Sequence, residues 1–322
     1  MDQTAKLVRE LEPDPRNRGL LAVLADHLQQ LGDPRGELIV LDLTASPEQV
    51  AMDRRRALCI QLAPAFDSTS STKTTWGLGF IRAIEMKEPG PSLAAHAGFA
   101  HPSCRLLEAL TLGTWHALGV TIPDGVLPRS LRTLILRDKL SKTSDLSGLP
   151  HLDHLLCMEA GRLRHPTLRS LTLSNPSNQT LDALVPDELP ALRALTIEKS
   201  IEPFLDRIAS LLPQLTELVL DRAIFDDDSY ELLETALAGH RLARLAIEPW
   251  RNPSLDRDRL AALTDELVIP ASNKPAAAGT YVTHEKFGRG RVLREHDGKL
   301  EIEFPGGKRT LKDGPYLKRS RD

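Results

Sequence analysis

Cysteine is scarce in this chain. Cys59, Cys104 and Cys157 are the three among 322 residues, far apart and in no pairing motif. So sparse and odd a set excludes a disulfide framework and suits a reducing compartment. Long hydrophobic runs are missing as well: no stretch approaches the 18 apolar residues of a membrane span, and Met1-Asp2-Gln3 lacks the basic start and apolar stretch of a secretion leader. The expectation is a cytoplasmic protein with no membrane partner. Catalytic words are absent too. The chain holds no Gly-x-x-x-x-Gly-Lys-Ser/Thr phosphate loop and no nucleophile elbow, so nothing organises its Ser, His and acidic residues into a reacting set. Neither a catalytic residue nor a cofactor is expected.

What is present is hydrophobic material in order. At 322 residues with 41% hydrophobic content, the chain can fill two or three ordinary cores. One six-residue phrase recurs seven times, with aliphatic residues at its first, fourth and sixth positions: Leu107-Leu110-Leu112, Leu131-Leu134-Leu136, Leu152-Leu155-Cys157, Leu168-Leu171-Leu173, Leu192-Leu195-Ile197, Leu215-Leu218-Leu220 and Leu242-Leu245-Ile247. Their starts lie 24, 21, 16, 24, 23 and 27 residues apart, and a weaker copy, Ile81-Ile84-Met86, begins 26 residues upstream. Segments with helical spacing lie between the later copies, such as Phe204, Leu205, Ile208, Leu211 and Leu212.

A period of 20 to 29 with this phrase resembles the leucine-rich-repeat family from about residue 76 to 269. The resemblance implies an α/β solenoid with a parallel sheet, whose aliphatic positions stack into one core while the variable positions line a concave face. One departure stands out. Where that family places Asn or Cys three residues after the last aliphatic, this chain has Trp115, Lys139, Ser200, Ala223 and Trp250. Without that buried polar ladder, irregular loops are expected, because the turns must satisfy their backbone groups differently.

Before the repeats, Leu20, Leu21, Leu24, Leu28 and Leu31 share a helical face that Gly32 ends, Asp33-Pro34-Arg35-Gly36 turns, and a second helix starts at Glu37. Leu24-Ala25-Asp26-His27-Leu28 followed by Gly32-Asp33-Pro34-Arg35-Gly36-Glu37 resembles the bacterial repeat-companion domain, with Leu24 where relatives carry an aromatic. The resemblance implies a small helical module standing before a repeat array and carries no assigned activity. A third helix is expected from a Ser46 cap to about Ala63, containing Arg54-Arg55-Arg56, and residues 67–75 read as a loop. Residues 1–75 are thus expected to form a helical N-terminal cap on the solenoid of residues 76–269.

After the repeats, residues 270–278 read as a linker. Residues 279–322 carry 11 Lys/Arg against 7 Asp/Glu, so the preceding 278 residues hold about −7 of the net −3. Four or five short strands are expected here, among them Tyr281-Val282-Thr283-His284, Gly290-Arg291-Val292-Leu293, the alternating Lys299 to Phe304, and Lys308-Arg309-Thr310-Leu311. The words Val282-x-His284-x-x-Phe287-Gly288-x-Gly290 and Ile302-x-Phe304-x-x-Gly307-x-x-Thr310-Leu311 resemble the Tudor-like segment of UvrD/PcrA-type DNA repair helicases. That resemblance implies a small all-β, SH3/Tudor-like barrel acting as an adaptor toward RNA polymerase or nucleic acid, without the motor.

Two binding surfaces follow as expectations. On the concave face the candidates are Arg132, Asp153, His154, Arg169, Arg193, Glu217 and Arg244, with the arginines as anchors for a protein partner. In the tail, Arg289, Arg291, Arg294, Lys308 and Arg309 would form a basic rim, with Tyr281, His284 and Phe287 as ring partners. Metal is not expected. In His151-x-x-His154-x-x-Cys157 the phrase sends His154 and Cys157 to opposite faces of a strand, His96, His101 and Cys104 form only a loose group, and Asp226-Asp227-Asp228 reads as a helix cap. The favoured expectation is a non-enzymatic adaptor; the alternative is a nucleic-acid- or polymerase-associated factor whose tail is the main binding site.

Overall fold

The structure, a computed structural model, describes residues 2–44, 48–64, 71–87, 97–113, 122, 125–140, 146–198, 204–223, 227–249, 256–269, 281–284, 286–296, 299–312 and 317–320. The chain divides into two compact units, Met1–Val268 and Ile269–Asp322.

The first unit opens with four helices: α1 (Gln3–Leu11), α2 (Arg18–Gln30), α3 (Pro34–Leu43) and α4 (Gln49–Gln61). Asp2, Asn17 and Asp33 each cap the following helix with a side-chain oxygen. Gly32 stops α2 with a φ of +71°, which costs glycine little. The second helix therefore begins at Pro34 rather than Glu37, because Asp33 caps it and proline suits the first turn. Gly36 marks where α3 meets α2, since a Cβ there would fall 2.7 Å from the Ala25 carbonyl oxygen. The expected Ser46 cap lies outside the described residues, and Glu48 stands at the N-cap of α4 without a side-chain bond.

A ten-stranded sheet follows, its strands arranged in sequence order: β1 (Thr72–Gly77), β2 (Phe80–Met86), β3 (Ala109–Leu112), β4 (Thr133–Leu136), β5 (His154–Cys157), β6 (Ser170–Ser174), β7 (Ala194–Glu198), β8 (Glu217–Ala223), β9 (Leu242–Pro249) and β10 (Thr264–Val268). From β2 onward every neighbour pairs in parallel. In all eight copies the fourth and sixth positions fall on strands, and the fourth positions pair directly from Ile84 through Leu110, Leu134, Leu155, Leu171, Leu195 and Leu218 to Leu245. These are all buried, as are the sixth-position residues from Met86 to Ile247. The loop expected over residues 67–75 is corrected by β1, which pairs antiparallel to β2 from Thr72 onward. Leu78 and Gly79, at φ +55° and +79°, form the hairpin turn, the double positive angle that matches strand twist. The boundary drawn at residue 75 thus runs through a strand.

The helical spacing between later copies resolves into short pieces. α5 (Asn178–Asp182), α6 (Leu205–Ile208), α7 (Asp227–Ala236) and α8 (Arg257–Ala262) supply buried Leu181, Leu205, Ile208, Leu233 and Leu260. Of the ladder positions, Lys139 is exposed and Trp115, Ser200 and Trp250 lie outside the described residues. A different polar ladder runs at the other end of the strands. Ser130 Oγ donates to the Leu107 carbonyl at 2.9 Å, Thr167 Oγ1 to Pro150 at 3.1 Å, Gln214 Nε2 to Leu189 at 3.2 Å and Thr264 Oγ1 to Leu242 at 3.0 Å. His240 Nε2 lies 2.7 Å from the Leu215 carbonyl oxygen and His165 Nε2 3.2 Å from that of Leu149, so each ring carries its proton there. Polar side chains entering one copy hence satisfy carbonyls of the copy before, which is how the buried turns meet the need for partners.

The second unit is a five-stranded antiparallel sheet ordered β14-β13-β12-β11-β15, with β11 (Tyr281–His284), β12 (Gly288–His296), β13 (Lys299–Phe304), β14 (Gly307–Lys312) and β15 (Leu317–Ser320). Val282, Val292, Leu300, Ile302 and Phe304 form its buried cluster. Gly290 is required by packing: a Cβ there would lie 2.5 Å from the Phe304 ring.

Candidate functional site

The outward side chains of the large sheet stand in columns because parallel neighbours share one register. In the column after the first aliphatic, Glu108, Arg132 and Asp153 are half-buried while Arg169 and Arg193 are exposed. A chain of backbone bonds runs along it, from Arg132 N to Glu108 O, Asp153 N to Arg132 O, Arg169 N to Asp153 O and Arg193 N to Arg169 O, each at 2.9–3.0 Å. The charges alternate and pair sideways. Arg132 reaches Asp153 at 3.2 Å, and Arg169 stands 4.0 Å from the same carboxylate with its side chain 74% exposed. Arg193 turns back on its own turn, donating to Pro190 and Leu192 carbonyls at 3.0 and 2.8 Å.

The next column reads Ala83, Ala109, Thr133, His154, Ser170, Ala194, Glu217, Arg244, Glu266 in direct register. His154 is exposed, and Arg244 bridges Glu217 on one side and Glu266, at 3.7 Å, on the other. Of the seven candidates, then, the structure brings Arg132, Asp153 and Arg169 into one group and Glu217 with Arg244 into a second, while His154 and Arg193 stand apart. Such partly exposed pairs contribute up to about 1 kcal/mol each.

One feature of this column went unread in the sequence. Arg82 occupies the same first variable position in the weak copy Ile81-Ile84-Met86, and it is buried. Its guanidinium donates to Pro15 O at 2.8 Å, Gly77 O at 2.9 Å and Glu108 Oε1 at 3.0 Å. Burial pulls its pKa below the ordinary value, against the pull of Glu108. Arg16 adds to Glu108 at 3.1 Å and Arg132 donates to the Pro13 carbonyl. Residues 13–16, between α1 and α2, are thereby tied to the first strands of the sheet, so Arg132 serves the fold as well as the face. The signal was available, since the copy's own frame places Arg82 beside Glu108.

Other candidate groups carry no ligand geometry. His154 is exposed and Cys157 wholly buried, on opposite faces of β5. Burial and the nearby Glu159 push the Cys157 thiol up to about 12. Burial and Arg132 push the His151 ring below the usual histidine range, and burial with Arg35 does the same for His101. His96 and Asp226 lie outside the described residues. Among the described residues no group of three or more His, Cys, Asp or Glu side chains could hold a metal ion, and no helix is long and apolar enough to cross a membrane.

In the second unit His284 stacks on Phe287 with ring centroids 4.7 Å apart, and Phe287 meets Phe304 at 5.6 Å. The Arg309 guanidinium lies 4.4 Å from the Phe287 ring and the Lys286 ammonium 5.9 Å from it, both within cation–π range. His284 Nδ1 accepts from Lys286 N at 3.0 Å. The expected single basic rim divides in two. Arg309 pairs with Ile302 and belongs to the side of the apolar cluster, whereas Arg289, Arg291 and Lys308 alternate to the other side, with Glu303 opposite both Arg291 and Lys308. The side chains of Tyr281 and Arg294 lie outside those described. Comparison of the chain with protein-family models, with curated proteins and with solved structures finds no match.

Proposed function

We propose that the chain is a non-enzymatic adaptor: a leucine-rich-repeat-like solenoid with a helical N-terminal cap offers its outward sheet face to a protein partner, and a Tudor-like barrel offers a second site. The observation that carries this reading is the register of the outward columns. Eight consecutive parallel neighbours from β2 to β10 hold a mixed-charge row beside Thr111, Ile135, Leu156, Thr172, Thr196 and Val219, all half-buried. Side chains fixed at strand spacing, amphipathic and mixed in charge, suit a protein surface better than a polyanion. Cys104 and Cys157 are buried and form no disulfide, which agrees with a reducing, cytoplasmic setting. The test uses the full chain with Arg169→Glu and Arg193→Glu together, against Phe287→Ala and Arg309→Glu together. Affinity capture is expected to lose one set of partners with the first pair and a different set with the second. Loss of every partner from the tail pair alone would overturn the two-site reading.

A second reading rests on Arg309 over Phe287 beside His284. A ring with cations above it is the platform on which single-stranded nucleic acid stacks. In that reading the tail is the main site, for nucleic acid or RNA polymerase, and binding to a labelled single-stranded DNA would fall steeply with salt. No binding at about 50 mM salt would rule it out.

A further inference from the structure

We propose that a groove beside the first helix binds a small amphipathic anion, an apolar body of about ten carbons carrying one carboxylate or phosphate head. The groove holds about 490 Å³, within the volume range of small-molecule sites, and none of its lining residues belongs to the outward columns described above. One wall is a single face of α1 and its C-cap, where Ala5, Val8, Arg9 and the capping Glu12 follow the three-and-four spacing that aligns side chains. The floor is apolar: Val8 and Leu127 are each 5% exposed and Phe99 3%, with half-buried Val126 and exposed Ala100 beside them.

The rim carries the sign. Among the described residues, Arg9, Arg105 and Arg129 line the groove against one carboxylate, Glu12. Glu12 is taken by Arg129 at 3.7 Å. Arg9 and Arg105 are exposed and make no ion pair or side-chain hydrogen bond among the described residues. Two uncommitted guanidiniums over an apolar floor, in a chain whose net charge is −3, are complementary to a ligand with an anionic head and a greasy body. A nucleobase is a poorer fit, because among the described residues the one ring in the lining, Phe99, is buried and presents no stacking face.

The test is calorimetric titration of the full chain at pH 8 with decanoate, decyl phosphate and decyltrimethylammonium, all well below their micellar range. Both anions are expected to saturate one site, their ratio separating carboxylate from phosphate as the head, and the cation is expected not to bind. Arg9→Gln with Arg105→Gln should weaken the anions about tenfold or more, while Arg9→Lys with Arg105→Lys should stay within about threefold. Ala100→Trp, which fills the floor and leaves the charges, should abolish binding with an unchanged far-ultraviolet spectrum. No anion binding to the unaltered chain, equal binding of the cation, or indifference to either the Gln pair or Ala100→Trp would overturn the proposal. None of these residues belongs to the two surfaces proposed above, so failure here leaves that reading standing.

Discussion

Replacing Arg82 with methionine tests how the helical head is joined to the sheet. Methionine keeps an unbranched apolar stem and removes the guanidinium, so the donated bonds to Pro15 O, Gly77 O and Glu108 disappear, together with a longer one to Leu106 O at 3.5 Å. Hydrogen bonds to charged groups contribute about 1.5–3 kcal/mol each, which would sum to about 6. Two effects reduce that figure. The substitution also removes the cost of burying a charge, and Glu108 keeps Arg16 as partner, but that arginine's side chain is 75% exposed and so contributes about 1 kcal/mol at most. Breaking one side of a buried pair costs about 3–5 kcal/mol, and the lower end, about 3, is expected here. Urea unfolding followed by circular dichroism measures the loss. Hydrogen exchange localises it to residues 13–17 and the 77–79 turn, with residues 281–312 unchanged. A double-mutant cycle with Glu108→Gln should return a coupling of about 1–3 kcal/mol. A loss below about 1 kcal/mol, or coupling near zero, would refute the view that this pair joins head and sheet.

The other predictions concern the ladders and acid stability. Leu195→Ala deletes three carbons from a fully buried position between Leu171 and Leu218, which at about 0.8 kcal/mol per carbon plus a cavity gives about 3–4 kcal/mol, whereas Thr196→Ala on the outward face should cost under about 1; equal urea midpoints for the two would contradict the facing assigned to the phrase. Thr264→Val leaves the Leu242 carbonyl without its side-chain donor and should cost about 1–2 kcal/mol by the same measurement. Acid should destabilise the chain in two stages. His101 and His151, both held below the usual histidine range chiefly by burial, bind protons more readily when unfolded, so stability falls first as pH drops through the ordinary histidine value. For Asp33, burial would raise the pKa, but the bonds from Arg35 win and lower it. Its contribution is present above the ordinary carboxylate value and lost as pH falls through the depressed one. Asp33→Asn should flatten that last stage of a thermal-melt series; an unchanged slope would exclude the Asp33–Arg35 pair as its source.

The strands were the most legible part of the sequence, because a phrase with aliphatic residues at fixed positions leaves one solution for which side faces in. The β11 to β14 strands were legible for the same reason, with Lys299–Phe304 alternating and Gly307 turning. β1 was hidden by its composition: Thr72, Lys73, Thr74 and Thr75 carry no apolar alternation, and only pairing with β2 makes them a strand. α6 shows the opposite failure. Its apolar spacing promised a longer helix, but Pro213 follows within the stretch and the helix ends at Ile208, with a 3-10 turn over Leu212–Gln214 completing the burial. β10 was hidden because Asp265 and Glu266 interrupt its apolar content; Arg241, just before β9, and Arg244, on β9, hold those carboxylates.

The missing Asn ladder, read from the sequence as a source of irregularity, has a specific structural counterpart. A turn that lacks an inward amide on the leaving side of the strand still owes partners to its carbonyls. The polar ladder of this chain stands instead on the entering side, where Ser130, Thr167, Gln214, His240 and Thr264 each reach back to a carbonyl of the preceding copy. The donors differ in type and reach, so the copies need not be the same length, and the starts vary from 16 to 27 residues without breaking the register of Leu110 to Leu245. Constancy of the outward columns therefore rests on the strands, while the variable turns are free to differ. In the adaptor proposed above, a surface that meets its partner through fixed columns tolerates such turns, and the exposed Arg169 beside β6 is the anchor that this reading favours.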